Sequence, residues 1–107
     1  VKTDDPLVNF VFRMVADNIG MTIEELISSR RNTEKRKYGL GFIVYYLYYN
    51  CDVSLGAMKS HMNKSKPRLS ILKDQILKLE QTSKPVYWLE KKKYFDTAIS
   101  NYQISNK

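Results

Sequence analysis

The chain is expected to fold as an all-α bundle of about six helices, and three observations carry that expectation. Apolar residues recur at intervals of three and four along nearly the whole sequence. Ser, Thr or Asp stands ahead of most of these series, several times with a proline or a glutamate in the following turn, as helix starts require. No stretch of useful length alternates in the manner of a strand. With 107 residues, 43% of them hydrophobic and 12% aromatic, the chain can build one real core without a metal or a disulfide. Residues 1–107 are therefore expected to form a single domain with no cofactor.

The first helix is expected over about 6–19. Asp5 caps it, Pro6 occupies its first position, and Leu7, Phe10, Val11, Met14 and Val15 keep helical spacing until Gly20 stops it. Thr22 and Glu25 form a capping box for a short second helix, about 23–29, with Ile23, Leu26 and Ile27 on its buried side. Asn32 or Thr33 caps a third helix, about 33–50. Its Phe42, Ile43, Tyr46, Leu47 and Tyr49 cover most of the circumference, as suits the centre of a small bundle. Asp52 and Ser54 are candidate caps for the fourth, about 54–62, marked by Leu55, Met58 and Met62. Ser65 with Pro67 opens the fifth, about 66–80, anchored through Leu69, Leu72, Ile76 and Leu79. Ser83 with Pro85 opens the sixth, about 84–103, where Val86, Leu89, Phe95, Ile99 and Tyr102 are apolar.

Charge is placed unevenly. The net charge is +7, yet eleven of the 18 Lys and Arg residues and only three of the 11 Asp and Glu residues lie between Arg30 and Lys78. A basic middle points to an acidic partner or to an ordinary solvated face. Within it, residues 54–80 read either as a helix-turn-helix or as two helices joined by a solvated loop. In the first reading the fifth helix enters the major groove, and Arg68 brings a forked guanidinium suited to guanine. The start of that helix also directs free amides at a phosphate.

At these residues the chain resembles the carboxy-terminal, origin-binding domain of the bacterial replication initiator DnaA, within the TrpR-like helix-turn-helix superfamily. The resemblance spans about residues 10–80. It rests on Met21-Thr22-Ile23-Glu24-Glu25-Leu26, the basic run from Arg30 to Lys37, Tyr46-Leu47, and Ser54-Leu55-Gly56-Ala57-Met58, in that order. It implies the fold and duplex-DNA binding, in replication initiation or transcriptional control. Two departures separate the chain from that family. The base-reading hallmark at the start of the reading helix is replaced by Lys64-Ser65-Lys66-Pro67-Arg68-Leu69-Ser70, and the family's minor-groove arginine falls on Gly41. Origin-box specificity is therefore not implied. Lys37, one turn before Gly41, is placed to reach the DNA backbone instead.

The expected partner is double-stranded DNA. Arg30, Arg31, Lys35, Arg36, Lys37 and Lys59 would anchor phosphates, and Lys64, Ser65, Lys66, Arg68, Ser70 and Lys73 would lie at the reading helix, with Lys66, Arg68, Ser70 and Lys73 facing the major groove. The alternative is a phage- or mobile-element-type protein-interaction adaptor on the same scaffold, its partner met through the carboxy-terminal helix. An RNA binder or an enzyme is the remaining class.

Other residues favour bland readings. His61 has no second ligand at metal-binding spacing, and Cys51 ends an apolar helix as a small core residue would. No phosphate-cradling glycine loop and no catalytic constellation occurs, so neither an enzyme nor a small-molecule substrate is expected. Tyr45, Tyr46, Tyr48 and Tyr49 offer stacking surfaces for single strands, but a central helix would bury two of them and leave two at its rim. Lys91, Lys92 and Lys93 form either a basic amphipathic segment or a solvated face. The apolar run from Leu40 to Tyr49 is about half the ~20 residues of a membrane span. No signal-peptide pattern opens the chain, and the lone cysteine fits a reducing, cytoplasmic compartment in bacteria or a phage-infected cell. A first residue other than Met fits a processed product or a piece of a longer protein.

Overall fold

The computed structural model describes residues 5–28, 33–62, 64–82 and 86–105, without the side chains of residues 28, 60, 61, 80 and 82. Seven helical segments follow one another: α1 (Pro6–Ile19), α2 (Ile23–Ser28), α3 (Glu34–Tyr49), α4 (Leu55–Met62), α5 (Lys66–Leu77), α6 (Leu79–Thr82) and α7 (Val86–Ser105). No strand occurs among the described residues. The all-α class is as expected.

The caps act as their side chains dictate. Asp5 Oδ1 accepts from the Leu7 amide at 2.9 Å, and Gly20 closes α1 at φ +82°, a conformation in which any Cβ is strained. Thr22 and Glu25 form the reciprocal box: the Glu25 amide donates to Thr22 Oγ1 at 3.0 Å and the Thr22 amide to Glu25 Oε1 at 3.3 Å. Thr33 caps α3, its Oγ1 accepting from the Arg36 amide. Ser54 caps α4 through the Ala57 amide, while Asp52 turns the chain ahead of it at φ +56°. Asp tolerates this left-handed conformation better than most residues.

One helix end departs clearly from the sequence reading. The fifth helix does not run to residue 80. It ends at Leu77, where the Lys78 N–H faces both the Asp74 and Ile76 carbonyls, and a single turn, α6, follows to bury Leu79. Six expected helices thus become seven segments. The Ser83–Pro85 start expected for the last helix lies outside the described residues.

The core is organised around α3, every residue of which is buried from Gly39 to Val44. On one side a Cβ at Gly39 would lie 2.9 Å from Leu26 Cδ2, so α1 and α2 press directly on the α3 backbone. On the other side Gly41 meets α5. A Cβ there would lie 2.6 Å from Gln75 Nε2 and 2.9 Å from the Leu72 carbonyl oxygen. Gln75 Nε2 also donates to the Lys37 carbonyl at 2.7 Å, one turn earlier on α3.

The last helix closes the bundle through aromatic and polar contacts. Phe95 meets Phe42 edge-on at 5.0 Å, Trp88 stacks on Tyr38 at 4.7 Å, and Tyr102 stacks on Phe10 at 4.2 Å between ring centroids. The indole N–H of Trp88 donates to Glu34 Oε1 at 2.6 Å. The buried Tyr46 hydroxyl donates to Asp96 Oδ1 at 2.7 Å, with the Lys92 carbonyl as a second acceptor at 3.1 Å. Here the sequence reading needs correction. Trp88, Lys92, Phe95 and Ile99 form the inward stripe, so Lys92 is only 5% exposed, whereas Val86 faces outward. The ammonium of Lys92 is held 3.0 Å from Asp96 Oδ2 and 5.2 Å from the Tyr45 ring centroid. Only Lys93 of the three consecutive lysines is fully outward, since Lys91 lies over the Tyr87 ring at 5.5 Å. Among the described residues no helix is long and apolar enough to cross a membrane.

Gly41 and Gly56 separate in their expected response to a methyl group. Gly41→Ala forces a Cβ against the α5 backbone and should destabilise the fold by about 1–3 kcal/mol, as overpacking does. Gly56→Ala on α4 meets the flexible Lys66 side chain first, at 3.3 Å from Cε, and Ser54 Oγ only at 3.9 Å. It should leave stability within about 1 kcal/mol of the parent, helped by alanine's helix propensity. Urea denaturation of both variants measures the contrast.

Candidate nucleic-acid interface

The α4–α5 pair presents one apolar face to the core. Met58 and Met62 on α4 and Leu69, Leu72 and Ile76 on α5 are all fully buried, which leaves the opposite faces to solvent. Ser65 has the extended backbone of a cap residue but makes no side-chain capping bond. The first intrahelical bond runs from the Leu69 amide to the Ser65 carbonyl at 3.0 Å, and Pro67 has no N–H. The amides of Lys66 and Arg68 therefore open α5 without a protein acceptor among the described residues.

The expected contact residues are distributed unequally around this start. Arg30 and Arg31 lie outside the described residues. Lys35 and Lys37 are exposed on the first turn of α3, Lys59 on α4, and Ser65, Lys66 and Arg68 at the start of α5. The stem of Lys66 lies across Gly56, bridging the two helices of the pair. Ser70 is half-buried.

Two residues are not where an outward-facing contact would stand. Arg36 is only 7% exposed, because positions 36, 40, 43 and 47 share the buried stripe of α3. One terminal nitrogen, Nη2, donates to the Ile27 carbonyl at 3.3 Å, closing the end of α2, and its Nε is buried without a partner. The side chain of Lys73 is 14% exposed. Its ammonium sits 4.3 Å above the Tyr48 ring centroid, 5.8 Å from that of Tyr49 and 3.9 Å from Asp74 Oδ1, so it seals the edge of the α3–α5 seam.

Electrostatics single out one group of cations. Burial, and then the charge of Arg68, lowers the pKa of the Arg36 guanidinium. Burial, then Arg36 and Arg68, lowers that of the Lys64 ammonium. The charge of Arg68 thus acts on both groups, and no carboxylate is paired to any of the three cations among the described residues. The one acid of α3, Glu34, is already engaged by Trp88. The sequence reading made Arg36 an outward phosphate anchor, and its burial came only with the packed molecule.

The tyrosines divide as a central helix requires. Tyr46 is buried, Tyr45 half-buried, and Tyr48 and Tyr49 are exposed beside a depression of about 350 Å³ that Asp52, Val53 and Ser54 complete. Among the described residues no three His, Cys, Asp or Glu side chains are grouped to hold a metal ion. The His61 side chain lies outside them. No family model matches the chain, and no curated protein or solved structure is significantly similar to it.

The Cys51 thiol is half-buried. Burial, followed by the charges of Asp5 and Asp52, pushes its pKa up to about 12 from 9.0. Since the thiolate is the reactive form, alkylation at about pH 8 should be much slower in the folded than in the urea-unfolded chain. The unfolded thiol ionises first as pH rises, so Cys51 withdraws stability between pH 9.0 and about 12. A Cys51→Ser variant should lose less stability across that window. Iodoacetamide kinetics and alkaline denaturation of both proteins check this.

Proposed function

We propose that this chain binds duplex DNA through a helix-turn-helix formed by α4 and α5, in the manner of the DnaA carboxy-terminal domain, in replication initiation or transcriptional control. The observation that carries the reading is the unpaired positive charge around the start of α5. Lys59, Lys64, Lys66 and Arg68 on the pair and Lys35 and Lys37 on α3 have no carboxylate partner among the described residues. A helix start with open amides among such cations suits phosphate oxygens.

The element order supports the resemblance as well. Met21–Leu26 opens α2, Tyr46-Leu47 lies near the end of α3, and Ser54–Met58 caps and begins α4, so the motif residues fall where such a domain would have them. The departures keep their meaning. Gly41 lies buried against α5, so this position offers no side chain to a minor groove, and backbone contact passes to the exposed Lys37.

The adaptor reading draws on a different face. Val86, Tyr87 and Tyr94 are exposed on α7, although Trp88, which would have been the largest part of such a patch, is buried under Tyr38.

Fluorescence anisotropy with a random 20-base-pair duplex and its single strand, at low and moderate salt, tests the proposal. Tighter duplex binding that weakens by ~10³-fold or more between 50 and 200 mM salt, as about six neutralised phosphates require, is the expected outcome. No duplex binding at low salt refutes it and turns attention to α7.

A further inference from the structure

We propose that the corner at which α3 gives way to α4, walled by Tyr48, Tyr49 and Asp52, takes a single unpaired guanine base. The inference goes beyond the duplex-binding reading and stands on its own observations.

The two tyrosines supply the platform. Tyr48 and Tyr49 end α3 with 38% and 49% of their surfaces exposed, while Tyr46 before them is buried. Their ring centroids lie 4.9 Å apart with the planes at 77°, so the rings make a corner and not a flat patch. Tyr45 backs Tyr49 at 4.9 Å, and the Lys73 ammonium rests 4.3 Å from the Tyr48 centroid. Each ring is thus braced, and both line the depression of about 350 Å³. That size is at the low end of small-molecule sites, ~300–1,000 Å³, and suits one planar ring system better than a length of chain. Exposed aromatic faces stack on nucleobases of every kind.

Asp52 supplies the selection. Its turn is fixed on both sides, the Cys51 amide donating to the Tyr46 carbonyl at 3.2 Å and the Val53 amide to the Leu47 carbonyl at 2.9 Å, with Asp52 between them at φ +56°. A set backbone therefore presents the carboxylate, which lines the same depression, is exposed and has no ion pair among the described residues. Ser54, which also lines it, is committed to capping α4. A carboxylate only accepts hydrogen bonds, through two oxygens side by side, and so matches two adjacent donors. Among the four bases only guanine offers these on its Watson–Crick edge, N1–H beside the N2 amino group. Adenine and cytosine place a ring-nitrogen acceptor beside the amino group, and thymine or uracil flanks one N–H with two carbonyls. That edge is occupied in a duplex, so the base must be unpaired. An arginine side chain brings similar donors but adds a positive charge beside Lys73, whereas a guanine nucleotide brings a neutral base and a negative phosphate.

The test has two arms on the full chain. In the first, isotope-labelled protein is titrated with GMP, AMP, CMP and UMP at constant ionic strength and followed by NMR. GMP should shift the Tyr48 and Tyr49 ring signals and the Asp52 and Val53 amides, saturating in the millimolar range at least ~5-fold tighter than the other three, as a bidentate contact discriminates. Asp52→Asn keeps a side chain that tolerates the left-handed turn and should bring GMP down to the level of AMP. Tyr49→Ala should weaken all four by at least ~5-fold. Equal affinities for the four nucleotides, shifts that do not saturate, or a response centred on the start of α5 overturn the proposal, and these wild-type readings need no variant to fold. Tighter binding of arginine amide at the same residues overturns it too.

In the second arm, oligo-dT carrying one guanine is compared with oligo-dT alone. A guanine-dependent gain that Asp52→Asn removes assigns the base to a single strand, and GMP selectivity without that gain assigns it to a free nucleotide. Guanine selectivity without duplex binding leaves the corner standing and removes the proposed function. Duplex binding without guanine selectivity does the reverse.

Discussion

The crossing of α3 over α5 at Gly41 is the constraint from which the rest of the architecture follows. With no Cβ at that point, the Leu72 carbonyl and the Gln75 side chain come so close to the α3 backbone that only glycine fits without displacement. Gln75 then reaches the Lys37 carbonyl, which pins the register of one helix on the other. That bond ties the first turn of α3 to the last turn of α5.

The second consequence concerns the acids. Few carboxylates lie in the basic middle of the chain, and the fold commits them elsewhere. Glu34 accepts the Trp88 indole N–H, Asp74 lies near Lys73 at the seam, and Asp52 occupies the left-handed turn before α4. Outside that segment, Asp96 is held by Tyr46 and Lys92. None of these acids is paired with Lys59, Lys64, Lys66 or Arg68 among the described residues.

Local signals proved readable wherever one residue type satisfies one backbone requirement. Asp5, the Thr22–Glu25 box and Ser54 cap the helices expected of them, and Gly20 ends α1 in the one conformation that glycine adopts freely. The break at Lys78 was invisible because no glycine or proline marks it. The backbone turns there to bury Leu79, a demand that comes from packing. Lys92 misled for a similar reason. Within a run of three lysines its chemistry reads as solvated, yet the stripe through Trp88, Phe95 and Ile99 places it inside, where Asp96 and the Tyr45 ring receive its charge.

From the order of residues alone follow the helical class, most of the helix starts, the central place of α3 and the concentration of positive charge between Arg30 and Lys78. These depend on periodicity, on caps and on charge counts, which are properties of neighbours in the chain. The inward turn of Arg36 and the covering of Lys73 by Tyr48 came only with the packed molecule. Burial and electrostatic coupling depend on distances across the fold. Lys73 and Tyr48, well separated along the chain, reveal nothing of their contact until the packing of α5 on α3 brings them together.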